Sequence, residues 1–115
     1  MSRKSRSGVA AKRQAQAPVF AALGDQTRLW LLAKLCEGQP RSISQLTEGS
    51  RLTRQAITKH LRVLENVEIV RSVRLGRESV FEFVPEPIDE LRKYLDLVSQ
   101  QWDQALSRLK SFVER

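Results

Sequence analysis

Residues 52–84, LTRQAITKHLRVLENVEIVRSVRLGRESVFEFV, constrain the fold more than any other stretch of this chain. At about 100° per residue, Ala56, Ile57, Leu61, Val63, Leu64 and Val67 share one arc of a helix over residues 53–67. Arg54, Gln55, Thr58, Lys59 and Arg62 occupy the opposite arc. The β-branched and aromatic runs Val70 to Arg74 and Arg77 to Val84 follow, separated by a turn at Leu75 and Gly76, where glycine supplies the positive φ of a tight hairpin. Arg71, Arg74 and Arg77 are expected on and near its tip. A helix with a polar, basic outer face followed by a basic hairpin is the arrangement with which small winged domains grip DNA.

The preceding residues supply the rest of such a domain. Pro18 to Leu23 reads as a short helix closed by Gly24, and Asp25 as the N-cap of a second helix reaching about Cys36. On that helix Leu29, Leu31, Leu32, Ala33, Leu35 and Cys36 share one side. Trp30 falls off this stripe, which leaves it to be covered by another segment or subunit. Arg41 to Ile43 predicts a short strand, Ser44 to Gly49 a short helix packed through Leu46, and Thr53 the N-cap of the next helix. Together these make a helix-turn-helix.

After the hairpin, Pro87 opens a helix expected to run to about Val113. Ile88, Leu91, Leu95, Val98, Trp102, Ala105, Leu109 and Phe112 recur at alternating spacings of three and four, a heptad seam. At 1.5 Å per residue such a helix is about 40 Å long, more than one flank of a small domain covers. A second copy is the simplest cover for the remainder, and a two-fold dimer would present two recognition helices to successive major grooves about 34 Å apart.

The 115 residues, 41% hydrophobic, support one modest core rather than two. The excess of 20 Lys and Arg over 13 Asp and Glu favours a polyanionic partner. That excess is uneven: residues 1–50 carry 8 basic and 3 acidic groups, 51–85 carry 7 and 4, and 86–115 carry 5 and 6. Residues 1–14 hold five basic side chains and few apolar ones, so they read as a disordered arm; Val9 is the only sizeable apolar residue with which they could lie on a membrane. One cysteine permits no internal disulfide, no apolar run reaches the ~20 residues of a membrane span, and no signal-peptide core follows the N-terminal charges. A cytoplasmic protein is expected. One His, one Cys, and no nucleophile-elbow, phosphate-loop or metal-ligand spacing leave no catalytic constellation, so no enzyme is expected.

The chain resembles the ArsR/SmtB family of winged-helix repressors over roughly residues 18–113. The marks are Leu23-Gly24-Asp25-Gln26-Thr27-Arg28-Leu29, where the family has leucine, a turn with Asp, then Thr-Arg-Leu, and Thr58-Lys59-His60-Leu61 to Leu64, where it has Ser-Arg-His-Leu-Lys-Val-Leu. The resemblance implies a dimer built on the first and last helices, operator binding by the helix after the turn, and repression relieved by an effector. Many members sense metals through a Cys-x-Cys motif before the recognition helix or through residues of the last helix. Ser42 and Ser44 stand where those cysteines would be, and the last helix has no His, so no metal site is carried over. The C-terminal QWDQALSRLKSFVE is similar to a metal-independent subset.

Single residues admit competing readings. His60 sits within the apolar arc, which favours a packed, hydrogen-bonded imidazole over a sensor. Cys36 reads as a buried thiol, with a redox switch as the alternative. Arg28 is expected to pair with a carboxylate or helix-terminal carbonyls, and Trp102 to be interface core, with the wall of a small-molecule pocket as its alternative.

The expected fold is therefore mainly α with a small β-hairpin wing: a winged helix-turn-helix with a long C-terminal dimerisation helix. Its parts are residues 1–14 as the arm, 15–85 as the DNA-binding domain and 86–115 as the dimerisation helix. Arg54, Gln55, Thr58 and Lys59 are expected to read bases, with Thr53, Arg62, Arg71, Arg74 and Arg77 on the phosphate backbone. Double-stranded DNA and a second copy are the expected partners, with no cofactor, metal or membrane and an effector left open. The competing functions are a winged-helix protein-interaction module and a thiol-responsive repressor acting through Cys36.

Overall fold

Eight elements follow one another in the computed structural model: α1 (Ser2–Leu23), α2 (Gln26–Leu35), β1 (Arg41–Ser42), α3 (Ile43–Glu48), α4 (Arg54–Asn66), β2 (Val70–Leu75), β3 (Glu78–Phe83) and α5 (Glu86–Val113). The structure describes the backbone of residues 2–114 and the side chains of residues 8–114. The fold is a winged helix-turn-helix, with α3 and α4 as the helix pair and the β2–β3 hairpin as the wing.

Helix starts follow the cap chemistry of the sequence. Asp25 accepts the Arg28 backbone N–H at 3.1 Å to open α2, and Thr53 accepts that of Ala56 at 3.1 Å to open α4. Ser42 and Gln45 form a capping box at α3, each side chain accepting the other's backbone N–H. The end of α4 carries no such signal. There the N–H groups of Glu68 and Ile69 bond the carbonyls of Glu65 and Leu64, a Schellman closure that places Glu68 at φ +63° where glycine is usual.

The core gathers where α2, α3, α4 and the sheet meet. Leu31, Leu46, Ile57, Leu61, Leu64, Ile69 and Val70 are fully buried, and Val19 and Ala22 of α1 with Leu91 of α5 close it on one side. The sheet has strand order β1-β3-β2, with Arg41 opposite Phe81 and Ser42 opposite Val80. In the hairpin, pairing runs from Val70 with Phe83 to Leu75 with Glu78, so the loop is Gly76-Arg77. This is one residue later than expected. Gly76 at φ +63° occupies the first loop position, the place of glycine in a type II′ turn, and this register buries Val70, Val80 and Phe81.

Other expectations are corrected. In place of an arm and a short helix from Pro18, α1 is one helix of 22 residues with Pro18 inside it; Met1 and the side chains before Gly8 lie outside the described residues. Ala, Gln, Lys and Arg from Ala10 to Ala17 are strong helix formers, and the core contacts of Val19 and Ala22 offset the hydrogen bond that proline cannot donate. Leu29, Ala33 and Cys36 are exposed rather than buried, because α2 is covered only along the arc of Leu31, Leu32 and Leu35. Trp30, by contrast, is covered by another segment as expected: it is half-buried beneath the α3–α4 turn, where a Cβ at Gly49 would lie 3.4 Å from its ring. Val63, at the edge of the apolar arc of α4, is also exposed.

Two helices project from this body, so that the chain as a whole extends over 66 × 31 × 22 Å. Phe20 of α1 meets Tyr94 of α5 edge-on, with ring centroids 6.1 Å apart. Beyond that contact the seam of α5 leaves the core. Ile88 packs against it, Leu91 is buried and Val98 half-buried, but Leu95 is exposed, and every described residue from Ser99 onward is exposed.

Candidate nucleic-acid interface

The N-cap at Thr53 and the buried row Ile57, Leu61 and Leu64 fix which face of α4 is turned outward. Arg54, Gln55, Thr58, Lys59 and Arg62 accordingly line one open concavity on the protein surface, the five residues assigned to that face by helical spacing. Four of them, Arg54, Gln55, Lys59 and Arg62, are exposed, and Thr58 is half-buried. Thr58 bonds the Arg54 carbonyl through its hydroxyl at 2.7 Å, and the Arg54 guanidinium donates to the Ser44 hydroxyl of α3 at 2.5 Å. Thr53 uses its oxygen as a cap acceptor, and its hydroxyl hydrogen remains free to donate.

The wing does not bring its three arginines together. Arg77 is in the loop and Arg74 opposes Ser79 near it, both exposed. Arg71 opposes Glu82 at the other end of the hairpin and donates to its carboxylate at 2.5 Å. Because side chains alternate along a strand, Arg74 shares a face with Ser72, whose hydroxyl reaches Glu65 of α4, and Arg71 lies on the opposite face. Thus Arg74 borders the α4 side of the wing and Arg71 does not, a distinction that depends on strand register rather than composition.

Arg28 ties the recognition helix to the elements before it. Its Nε donates to the Ala22 carbonyl at 2.5 Å, a second nitrogen lies 3.4 Å from the Ala21 carbonyl, and a third lies 3.2 Å from His60 Nδ1. Since guanidinium can only donate, His60 Nδ1 accepts in this arrangement, and the imidazole is a half-buried, hydrogen-bonded packing group as expected. Asp25 lies beside the same cluster. The Arg28 backbone N–H, opposed by desolvation and helped by the nearby Arg28 charge, holds its carboxyl below the ordinary carboxylate range.

Among the described residues no three His, Cys, Asp or Glu side chains gather as a metal site, and no helix is long and apolar enough to cross a membrane. At the positions where the resembled family has cysteine ligands, the two serines hold other structure. Ser42 is buried as the α3 cap, and Ser44 holds Arg54.

A recognition-type helix set beside a basic wing defines a winged-helix transcriptional regulator, and comparison with known proteins agrees. Residues 25–72 match the family described as "Bacterial regulatory protein, arsR family". The chain is 41% identical over 81 residues to the uncharacterized HTH-type transcriptional regulator YuzN of Bacillus subtilis, covering 65% of this chain and 88% of that one. It superimposes on the ArsR-like transcriptional regulator from Rhodococcus sp. RHA1 with a TM-score of 0.82 and 32% identity, over 91% of this chain and 95% of that one. A similar fold, with a TM-score of 0.62 and 24% identity over 86% and 88% of the two chains, occurs in the homodimeric winged helix-turn-helix DNA-binding domain Mb0332 from Mycobacterium bovis. The protein belongs to the arsR family of transcriptional regulators, a family of regulators and not of enzymes.

Proposed function

We propose that the protein is a homodimeric repressor that binds a palindromic operator in the cytoplasm and does not respond to metal ions. The observation that carries this reading is the joint exposure of Gln55, Lys59 and Arg62 on the outer face of α4 with Arg74 and Arg77 on the wing. A major groove about 12 Å wide admits one α-helix, and Gln and Arg make bidentate contacts to base edges there. Arg54, Gln55, Thr58 and Lys59 read bases, while Thr53, Arg62, Arg74 and Arg77 hold phosphates. Arg71, neutralised by Glu82 and turned away from α4, contributes little.

Dimerisation rests on the uncovered seam of α5 and draws support from the homodimeric relative Mb0332. Metal independence rests on the serines at the cysteine positions. The repressor role follows the pattern of the family.

The test is selection of bound genomic fragments by the purified protein, followed by affinity measurements on the site recovered. An inverted repeat is expected, with log K falling by about 0.9 per log unit of salt for each phosphate neutralised. Replacing Gln55 by Ala should relax sequence preference by about 1 to 3 kcal/mol, whereas Arg77→Ala should weaken specific and random DNA alike. Absence of any preferred fragment, with affinity flat in salt, would favour a protein-interaction module instead.

A further inference from the structure

The α3–α4 pair contains one side-chain bond that links the two helices directly at the candidate reading face. Arg54 is the first residue of α4, and its guanidinium crosses the turn to donate to the Ser44 hydroxyl, ten residues earlier in the chain. Both ends of this bond are fixed by their own backbones. Ser44 stands in the first turn of α3, which the Ser42–Gln45 capping box opens, and Ser42 is buried. The backbone at Arg54 is set by the Thr53 cap on one side and by the Thr58 hydroxyl bonded to its carbonyl on the other.

A long, exposed arginine ordinarily samples many rotamers, and ordering it on contact with a ligand opposes binding. Here the protein orders it beforehand. The bond occupies one nitrogen of the guanidinium and leaves the remaining donors for a partner in the concavity that Arg54 lines with Gln55 and Thr58. A bidentate contact to a guanine edge depends on the direction of the guanidinium plane as well as on its charge, so restricting that plane favours one base geometry over others.

We propose that Ser44 is a positioning residue for Arg54: by holding its guanidinium against α3, it makes Arg54 a determinant of operator sequence preference rather than a mobile phosphate contact. This rests on the reading of α4 as the DNA-recognition helix. It gives Ser44, which would touch no base, a share in specificity.

The experiment measures binding of the full-length protein to a DNA library randomised across the selected operator, for wild type, Ser44→Ala, Ser44→Thr, Arg54→Ala and the Ser44→Ala/Arg54→Ala double variant. Arg54→Ala is expected to erase preference at particular base pairs. Ser44→Ala should reduce preference at the same pairs by about threefold to tenfold, the range set by ordering one long side chain, with affinity for random DNA unchanged. Ser44→Thr, which keeps the hydroxyl, should retain the wild-type profile, and the double variant should match Arg54→Ala. Thermal unfolding of each variant reports its fold separately.

A Ser44→Ala profile equal to wild type while Arg54→Ala loses base preference would overturn the inference and leave the reading of α4 intact. So would a uniform loss across all sequences in Ser44→Ala, or a double variant whose effects simply add. Arg54→Ala with an unchanged profile would overturn the roles of both residues, and a wild-type protein without sequence preference would overturn the DNA-reading proposal itself.

Discussion

Helices α4 and α5 are both amphipathic, yet the chain treats their apolar faces in opposite ways. In α4 the residues at helical spacing, Ile57, Leu61 and Leu64, are each 0% exposed, and the polar face is the one left open. In α5 only the start of the seam is covered: Leu91 is 6% exposed, whereas Trp102 is 68% and Phe112 75% exposed. The first pattern is complete within one chain. The second, continued by Leu109 and flanked by exposed Leu106 and Val113, is a continuous apolar face with no cover from its own domain. Monomeric soluble proteins rarely leave such a face open. Under the proposed function, equivalent sequence patterns serve two levels of assembly, α4 building the reading head and α5 pairing it.

Substitutions on the two seams should separate these roles. The largest effect is expected at Leu61→Ala, where a side chain packed on all sides leaves a cavity costing about 2 to 5 kcal/mol in denaturant unfolding. A cost below about 1 kcal/mol would mean that the α4 face is not the closed core described.

Leu109→Asp should leave the winged domain folded but weaken association by on the order of 2 kcal/mol per subunit. Its signature is a melting temperature that no longer rises with protein concentration, as that of the wild type should. Equal concentration dependence in both proteins would contradict the role given to the seam.

Glu68→Gly addresses the end of α4 alone. Relieving a left-handed non-glycine residue should stabilise the fold by about 1 kcal/mol without changing oligomeric mass. A destabilised variant would show that the Glu68 side chain contributes more than its backbone conformation costs.

The smallest expected effect is at Asp25. A carboxyl held below its ordinary value in the fold contributes stability that is present above its unfolded-state value and lost as pH falls through the depressed one. Asn keeps the cap but not the charge, so Asp25→Asn should flatten the decline of melting temperature below about pH 4. Parallel curves for the two proteins would remove Asp25 from the acid response.

Much of this was legible in the sequence, for identifiable physical reasons. Thr53 and Asp25 carry the side chains that cap helices, and the spacing of Ile57, Leu61 and Leu64 reports burial directly because α4 is surrounded along that whole arc. The same spacing misplaced Leu29 and Cys36, since α2 is covered over a narrower arc than its apolar stripe. Pro18 resembles a helix start and lies inside a helix, because the residues before it favour helix and those after it are anchored in the core. At the candidate site, the outward face of α4 followed from periodicity. The separation of Arg71 from Arg74 and Arg77 required the hairpin register, and the Ser44–Arg54 bond required knowing how the turn folds α3 against α4. Neither leaves a local signal in the residues themselves.

The central claim, that one chain completes its core at α4 but needs a second copy to complete α5, is tested most directly by sedimentation equilibrium of the wild-type protein in the low micromolar range. A single species of twice the chain mass is expected, shifting toward the chain mass in Leu109→Asp. A wild-type protein that sediments as a monomer across that range would contradict it.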